Sequence, residues 1–173
     1  GADLYRANLR ESDLSSANFH RACLAKAWLE EANITDTDFS FADLRQASLR
    51  EARGGNANFG FADLRHASLD EADLASAWLE AADCSHATMR NVALGAMANF
   101  AIFDKADLSG AKLENVHWSY ASFRGTNFDG ALVGGSGEAD FEGAIFSETT
   151  RIGENWTKEH FANVVYKESD QIY

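Results

Sequence analysis

An apolar residue recurs at every fifth position from Leu4 to Leu94. That series has nineteen members, of which eighteen are apolar and twelve are Leu. Phe19, Ile34, Phe39, Phe59, Cys84 and Met89 make up the remaining apolar members, and Gly54 is the exception. Two residues before each member, sixteen of nineteen positions are Ala; Ser12, Thr37 and Val92 are the others. The residue between is often Asp or Asn, as at Asp3, Asn8, Asp13 and Asn18.

A period of five fits neither regular element. On an α-helix five residues turn about 500°, so successive members land about 140° apart and form no stripe. On a flat strand five is odd, and successive members would alternate faces. The chain must therefore bend once per pentad, with the central residue and the one two before it on the same inward side. Residues 38–52, DFSFADLRQASLREA, and 58–72, NFGFADLRHASLDEA, agree at eleven of fifteen positions, which sets a longer period of twenty. If each bend is a right angle, four pentads close a square and one coil stacks on the next. Residues twenty apart then form columns. Leu4, Leu24, Leu44, Leu64 and Cys84 form one inner column, and Phe19, Phe39, Phe59 and Leu79 another. Ala is the repeated inner neighbour because so small a square has no room for a second large side chain on each edge.

This pattern, Ala-Asp/Asn-Leu-x-x, resembles that of the pentapeptide-repeat family over roughly residues 2–151. The resemblance implies an all-β solenoid, a right-handed quadrilateral β-helix with four pentapeptides per coil; its handedness comes from the resemblance alone. About seven coils spaced about 4.8 Å apart would make a rod roughly 34 Å tall. The β-helix is assigned to residues 1–151. Residues 152–173 are read as a capping α-helix and tail, with Thr157 as N-cap and Phe161, Val164 and Val165 at helical spacing.

The register breaks twice, near 95–102 and near 134–140. After Leu94 the centres resume at Phe103, nine residues on and one short of two pentads; ANF at 98–100 offers a competing centre. Between Val133 and Phe141 eight residues occupy one pentad, so three are expected to bulge as a loop containing GGSGE. At Gly54-Gly55 the expectation is a local distortion filled by neighbours rather than a pocket.

Composition narrows the function. The net charge of −12 and pI near 4.7 count against direct nucleic-acid binding, because phosphate contacts need Lys and Arg. No apolar run is long enough to span a bilayer. The absence of proline implies that backbone N–H groups are needed nearly everywhere. Cys23 should point outward and Cys84 inward, about 14 Å apart and beyond disulfide reach. Free thiols favour a cytoplasmic compartment. The chain opens on Gly1 without a methionine, so its start is read as processed or truncated. No nucleophile–base pair, phosphate loop or metal-ligand cluster is evident, and neither enzymatic activity nor a cofactor or metal is expected.

The candidate contact residues lie in outer columns. Glu11, Glu31, Glu51 and Glu71 form an acidic strip suited to a basic partner. Beside it Arg10, Glu30, Arg50, Asp70 and Arg90 alternate in sign, as expected of a structural column. Arg6, Lys26, Gln46, His66 and His86, with Arg45 and Arg65, form a less acidic face. Phe41 and Phe61 stack outside with Trp78 nearby, a candidate protein contact.

Two functions are expected to compete. One is a non-enzymatic scaffolding module presenting flat faces to an unidentified protein partner. The other follows from the resemblance: some pentapeptide-repeat proteins are acidic DNA mimics that bind DNA gyrase or topoisomerase IV and protect it from quinolones. Those are dimeric through a C-terminal element, which makes the C-terminal segment here a candidate for dimerisation. The regular Ala-Asp/Asn-Leu pentads and the Arg6, Lys26, Arg45, Arg65 face count against the mimic.

Overall fold

A computed structural model describes residues 1–134, 141–147, 149–151 and 165–167. The unit is the pentad, and Asp43–Ala47 shows how it is made. Asp43 N–H donates to Ala22 O of the coil before, and Leu44 N–H to Asp63 O of the coil after. Gln46 N–H donates to Arg65 O, and Ala47 N–H closes the turn onto Leu44 O at 3.0 Å. The remaining N–H, of Arg45, donates to the Asp43 side chain at 3.1 Å. All five backbone donors are used, so a proline in such a pentad would cost a bond. Asp or Asn before the centre is thereby explained: its Oδ1 takes the donor that the fold leaves over. Asn33 and Asn127 also donate from their amides to Asp13 and Asp107, one coil earlier.

Most turns place a residue in the left-handed region, the corners at Ala75-Ser76 and Gly95-Ala96 excepted. Arg6 has φ +58°, and Glu11, Phe41, Glu51 and Phe61 lie within a few degrees of it. Such a residue costs about 1–2 kcal/mol outside glycine. Its N–H donates to the next coil, as Arg6 does to Ala25 O, and the turn bond beside it is made, which offsets that cost. In the later coils Gly110, Gly125, Gly130 and Gly143 take this place.

Stacking is parallel throughout. Single-residue bridges such as Asp3 to Cys23 and Cys23 to Asp43 step by twenty. Short strands replace them further on: β1 (Asp73–Leu74), β2 (Ala93–Leu94), β3 (Lys112–Glu114), β4 (Ser122–Phe123), β5 (Leu132–Gly134), β6 (Ile145–Ser147) and β7 (Val165–Lys167). One sheet runs β1-β2-β3-β5 and another β4-β6-β7. The described chain is therefore a β-helix solenoid with a turn at each pentad.

The interior is a filled core. Leu24, Leu44, Leu64, Cys84, Phe39, Phe59 and Leu79 are all fully buried, and the rings of Phe19, Phe39 and Phe59 stack at 5.3 and 5.1 Å. Leu4 and Phe19, in the first coil, are half-buried against this core. At Gly54 a Cβ would lie 2.6 Å from Leu74 Cδ2, so the side chains of Leu74 and Ile34 fill the space, as expected.

The first break resolves at Gly95. One residue is missing from the corner after Leu94, and Ala98, not Phe100, is the next inward centre. Ala98 is stacked on Trp118, a small residue against the largest buried one. A Cβ on Gly95 would approach Ala75 O to 2.2 Å and Glu114 O to 2.9 Å, which is why the corner carries no side chain. At the second break the bridge from Ser122 to Ile145 spans three residues more than a normal coil; residues 135–140 lie outside the described residues. The expected capping helix also lies largely outside them. Val165, however, stands in β7, paired in parallel with Ile145, so the helical spacing that included Val165 is corrected there to strand. The backbone edge of β6 offers a parallel ladder, and that pairing overrides local helical patterning.

Candidate functional site

The outer surface is built from the two turn residues after each centre and the residue before it. Glu11, Glu31, Glu51 and Glu71 are all exposed, one per coil, with Asn91 next in the column. None of the four has an ion-pair partner among the described residues. Beside them the alternating column is paired. Arg10 binds Glu30 through two hydrogen bonds of 2.9 and 3.1 Å. Asp70, buried, receives Arg50 at 3.5 Å, Arg90 at 3.3 Å and the Arg90 backbone N–H at 3.0 Å.

On the less acidic face, Arg45 and Arg65 are neutralised by neighbouring aspartates. Arg45 contacts Asp43 at 2.7 Å and Asp63 at 3.6 Å; Arg65 contacts Asp63 at 2.6 Å and Asp83 at 3.6 Å. The Arg45 hydrogen bond holds the Asp43 carboxyl below the usual carboxylate range, against partial desolvation. His66 and His86 stack with ring centroids 4.8 Å apart, and no group of three or more metal-ligating side chains occurs among the described residues. Cys23 and Cys84 are unbridged, and burial pushes the Cys84 thiol up.

The apolar surface is larger than the sequence reading proposed. Phe41 and Phe61 stack at 4.9 Å with rings 3° apart. Their column continues through Ala81 to Phe100 and Tyr120, whose rings stack at 5.4 Å. On the flat side next to this corner Trp78 stands directly above Met97. Phe61, Trp78, Phe100 and Tyr120 are each more than half exposed, and Phe41 and Met97 nearly so. His20 caps the column edge-on against Phe41 at 5.5 Å, with the Arg21 guanidinium 5.6 Å above the same ring. Met97, Phe100 and Tyr120 were not among the candidates. The slip at Gly95 hid the first two, since a continued frame of five puts Met97 inside. The nine-residue step from Leu94 to Phe103 was the available signal.

Residues 1–36, 32–70, 57–94 and 101–134 match the family model described as pentapeptide repeats, in eight copies. The chain belongs to the pentapeptide repeat family. The interruption after residue 94 falls on the slipped corner of this pentapeptide-repeat solenoid. Among solved structures, HetL of the cyanobacterium Nostoc sp. strain PCC 7120, a pentapeptide repeat protein involved in heterocyst differentiation regulation, is similar at 29% identity and TM-score 0.59, over 88% of this chain and 77% of that one. QnrB1, a plasmid-mediated fluoroquinolone resistance protein in a trypsin-treated form, matches at 17% identity and TM-score 0.48, over 94% and 77%. A pentapeptide repeat protein from the Arabidopsis thaliana thylakoid lumen matches at 31% identity and TM-score 0.34, over 71% and 66%. No curated protein sequence matches this chain.

Proposed function

We propose that this chain is a non-enzymatic interaction module, a right-handed quadrilateral rod that presents flat faces to another protein. One observation carries the reading: Phe41, Phe61, Trp78, Met97, Phe100 and Tyr120 form a continuous apolar surface held by a backbone that is hydrogen-bonded from coil to coil. Exposed aromatic and Met side chains are the composition of contact surfaces, and the ordered backbone means little entropy is lost on binding. The regulatory role in the description of HetL is in keeping with a part that works by binding. Among the described residues no helix is long and apolar enough to cross a membrane.

The test uses Phe61→Asn with Phe100→Asn. Both positions have positive φ, which Asn tolerates, so the variant keeps its fold while losing the aromatic surface. Chemical cross-linking in the source cells followed by mass spectrometry should recover defined partners with the wild type and lose them with the variant. Equal recovery would remove this face from the reading.

The unpaired ladder of Glu11, Glu31, Glu51 and Glu71 favours a second reading, an acidic mimic that engages gyrase or topoisomerase IV. It spans only four coils, and Asn91 and Gly110 follow it in the column. A supercoiling assay decides: no effect on gyrase at micromolar protein, with and without a quinolone, eliminates the mimic.

A further inference from the structure

The corner column of the apolar face reads the same in both directions along the rod. Downward, the corner column is Arg21, Phe41, Phe61, Ala81, Phe100, Tyr120. Ala81 is the middle of two aromatic pairs, Phe41–Phe61 above and Phe100–Tyr120 below. The flat side repeats the pattern in charge. His20 lies at the level above Phe41, Asp38 at the level of Phe41, His117 at that of Tyr120, and Glu142 one level further down. Arg21 and His20 at one end stand opposite Glu142 at the other, and Asp38 stands opposite the His117 imidazole, so these columns complement their own reverse; Trp78 meets itself at the centre, and Met97 falls opposite Asn58.

We propose that this face docks a second copy of the same chain, antiparallel, about a two-fold axis lying in the face at the level of Trp78 and Ala81. The inference rests on the reading of this face as a contact surface, and names its occupant. Such an axis brings each column against itself reversed. Phe61 meets Phe100 of the second copy, Phe41 meets Tyr120, Asp38 meets His117, and His20 and Arg21 meet Glu142. A parallel pairing does the opposite: it sets His20 against His20 and Glu142 against Glu142. Charge thus selects the antiparallel arrangement.

The area agrees. Six side chains, each roughly half exposed, offer about 100 Å² apiece, on the order of 600 Å² per copy. A stable interface buries roughly 800 Å² per partner including its polar rim. A solitary patch of this size is at the upper limit for a monomer. Ala81 opposite Ala81 leaves clearance at the axis for the rings on either side. Two features oppose the pairing: Met97 falls opposite the polar Asn58, and Glu80, at the level of the axis, faces its own copy with like charge, which is the liability a substitution can remove.

That liability gives a test which no other occupant shares. Sedimentation equilibrium of the full chain from about 1 to 500 µM should show a reversible monomer–dimer equilibrium. Phe61→Asn and Phe100→Asn should each weaken it tenfold or more, and Glu80→Gln should tighten it severalfold. Orientation is read in a Cys23→Ser background with a short bis-maleimide. Faces about 10 Å apart allow Asp38→Cys mixed with His117→Cys to link, while His117→Cys alone, about 20 Å from its own copy, should not. A monomer throughout, a dimer indifferent to both Asn variants, or linking of His117→Cys alone would each overturn the proposal. A monomer whose face-dependent partner recovery is intact sinks the self-pairing and spares the interaction-module reading; loss of both sinks both.

Discussion

Met97 pairs with Trp78 across nineteen residues, whereas every bridge that begins earlier in the chain spans twenty. The shortened step is confined to the corner at Gly95. Met97, Ile102, Asp107 and Lys112 all inherit it, and their own partners one coil later are again twenty away. The deletion is thus absorbed locally and its neighbours keep their columns. It also sets which side chains face out: Met97 joins Trp78, and Phe100 joins the corner of Phe41 and Phe61.

Gly95→Ala should therefore be among the most damaging single-methyl changes in the chain. Its Cβ would meet two backbone carbonyls, Ala75 O at 2.2 Å and Glu114 O at 2.9 Å, and backbone cannot yield as a side-chain tip can. A loss of about 3 kcal/mol is expected from overpacking, measured by urea unfolding. An alanine inserted between Gly95 and Ala96 restores a five-residue side and should cost less. If the insertion is the worse of the two, the corner is misread.

Gly54→Ala makes the contrasting case. Its Cβ would meet only Leu74 Cδ2 at 2.6 Å and Ile34 Cδ1 at 3.2 Å, the mobile ends of side chains that have leaned into the gap. Gly54→Ala should lie within about 1 kcal/mol of wild type, while Gly54→Leu should cost about 1–3 kcal/mol. A stabilising Leu there would mean that the inner column holds a void.

The period of five made the columns legible from sequence, because a constant step leaves one geometry that keeps Leu24, Leu44 and Leu64 together. The same logic placed Glu11 to Glu71 and Phe41 with Phe61. It stopped where the step changed. Whether Ala98 or Phe100 is the centre depends on which corner absorbs the deletion, and that is decided by Gly95 against two carbonyls, a contact between coils with no local signature. Arg45 and Arg65 were visible as cations, but each folds back on the aspartate two residues earlier, Asp43 or Asp63, and also reaches the aspartate of the next coil, Asp63 or Asp83, which a list of columns read one at a time does not show. Val165 failed differently: helical spacing is a local preference, and an open strand edge outweighs it.

Acid should weaken the aspartate–arginine ladder on a definite side of pH 4. Asp43 is held below its ordinary value chiefly by the Arg45 hydrogen bond. A depressed carboxyl contributes stability above the unfolded value of about 4 and loses it as pH falls through the folded one. Asp43→Asn keeps the Oδ1 acceptor for the Arg45 backbone N–H and removes only the charge. The variant should melt below wild type at pH 7, with the two curves converging as the pH falls through the depressed folded-state value. A gap that widens in acid would show the sign to be wrong.

Trp118 carries a buried Nε1 with no hydrogen-bond partner among the described residues. Its ring is packed against Phe103, Phe123, Phe128 and Phe141, at 4.9–6.1 Å between centroids. Trp118→Ala should cost about 3–5 kcal/mol as a cavity opens. Trp118→Phe keeps most of the ring contacts and removes an unsatisfied donor, itself worth about 1–3 kcal/mol, so it should fall within about 1 kcal/mol of wild type. A large loss in the Phe variant would reveal a partner for the indole.

Ala81 and Ala82 are adjacent alanines for which glycine should act in opposite senses. Ala81 sits at φ +53°, where its Cβ is strained, and its N–H donates to Asn99 O at 2.9 Å, a bond glycine keeps. Relief of about 1–2 kcal/mol of left-handed strain outweighs the extra chain entropy of glycine, about 0.5–1 kcal/mol. The net gain should raise the melting temperature by roughly 2–4 °C for each kcal/mol in a chain of this length. Ala82 is fully buried with an ordinary backbone, so Ala82→Gly loses both methyl contacts and entropy and should destabilise. Differential scanning calorimetry of the two variants decides it. If both lower the melting temperature, the left-handed turn geometry shared by Phe61, Ala81 and Phe100 is wrong at this corner.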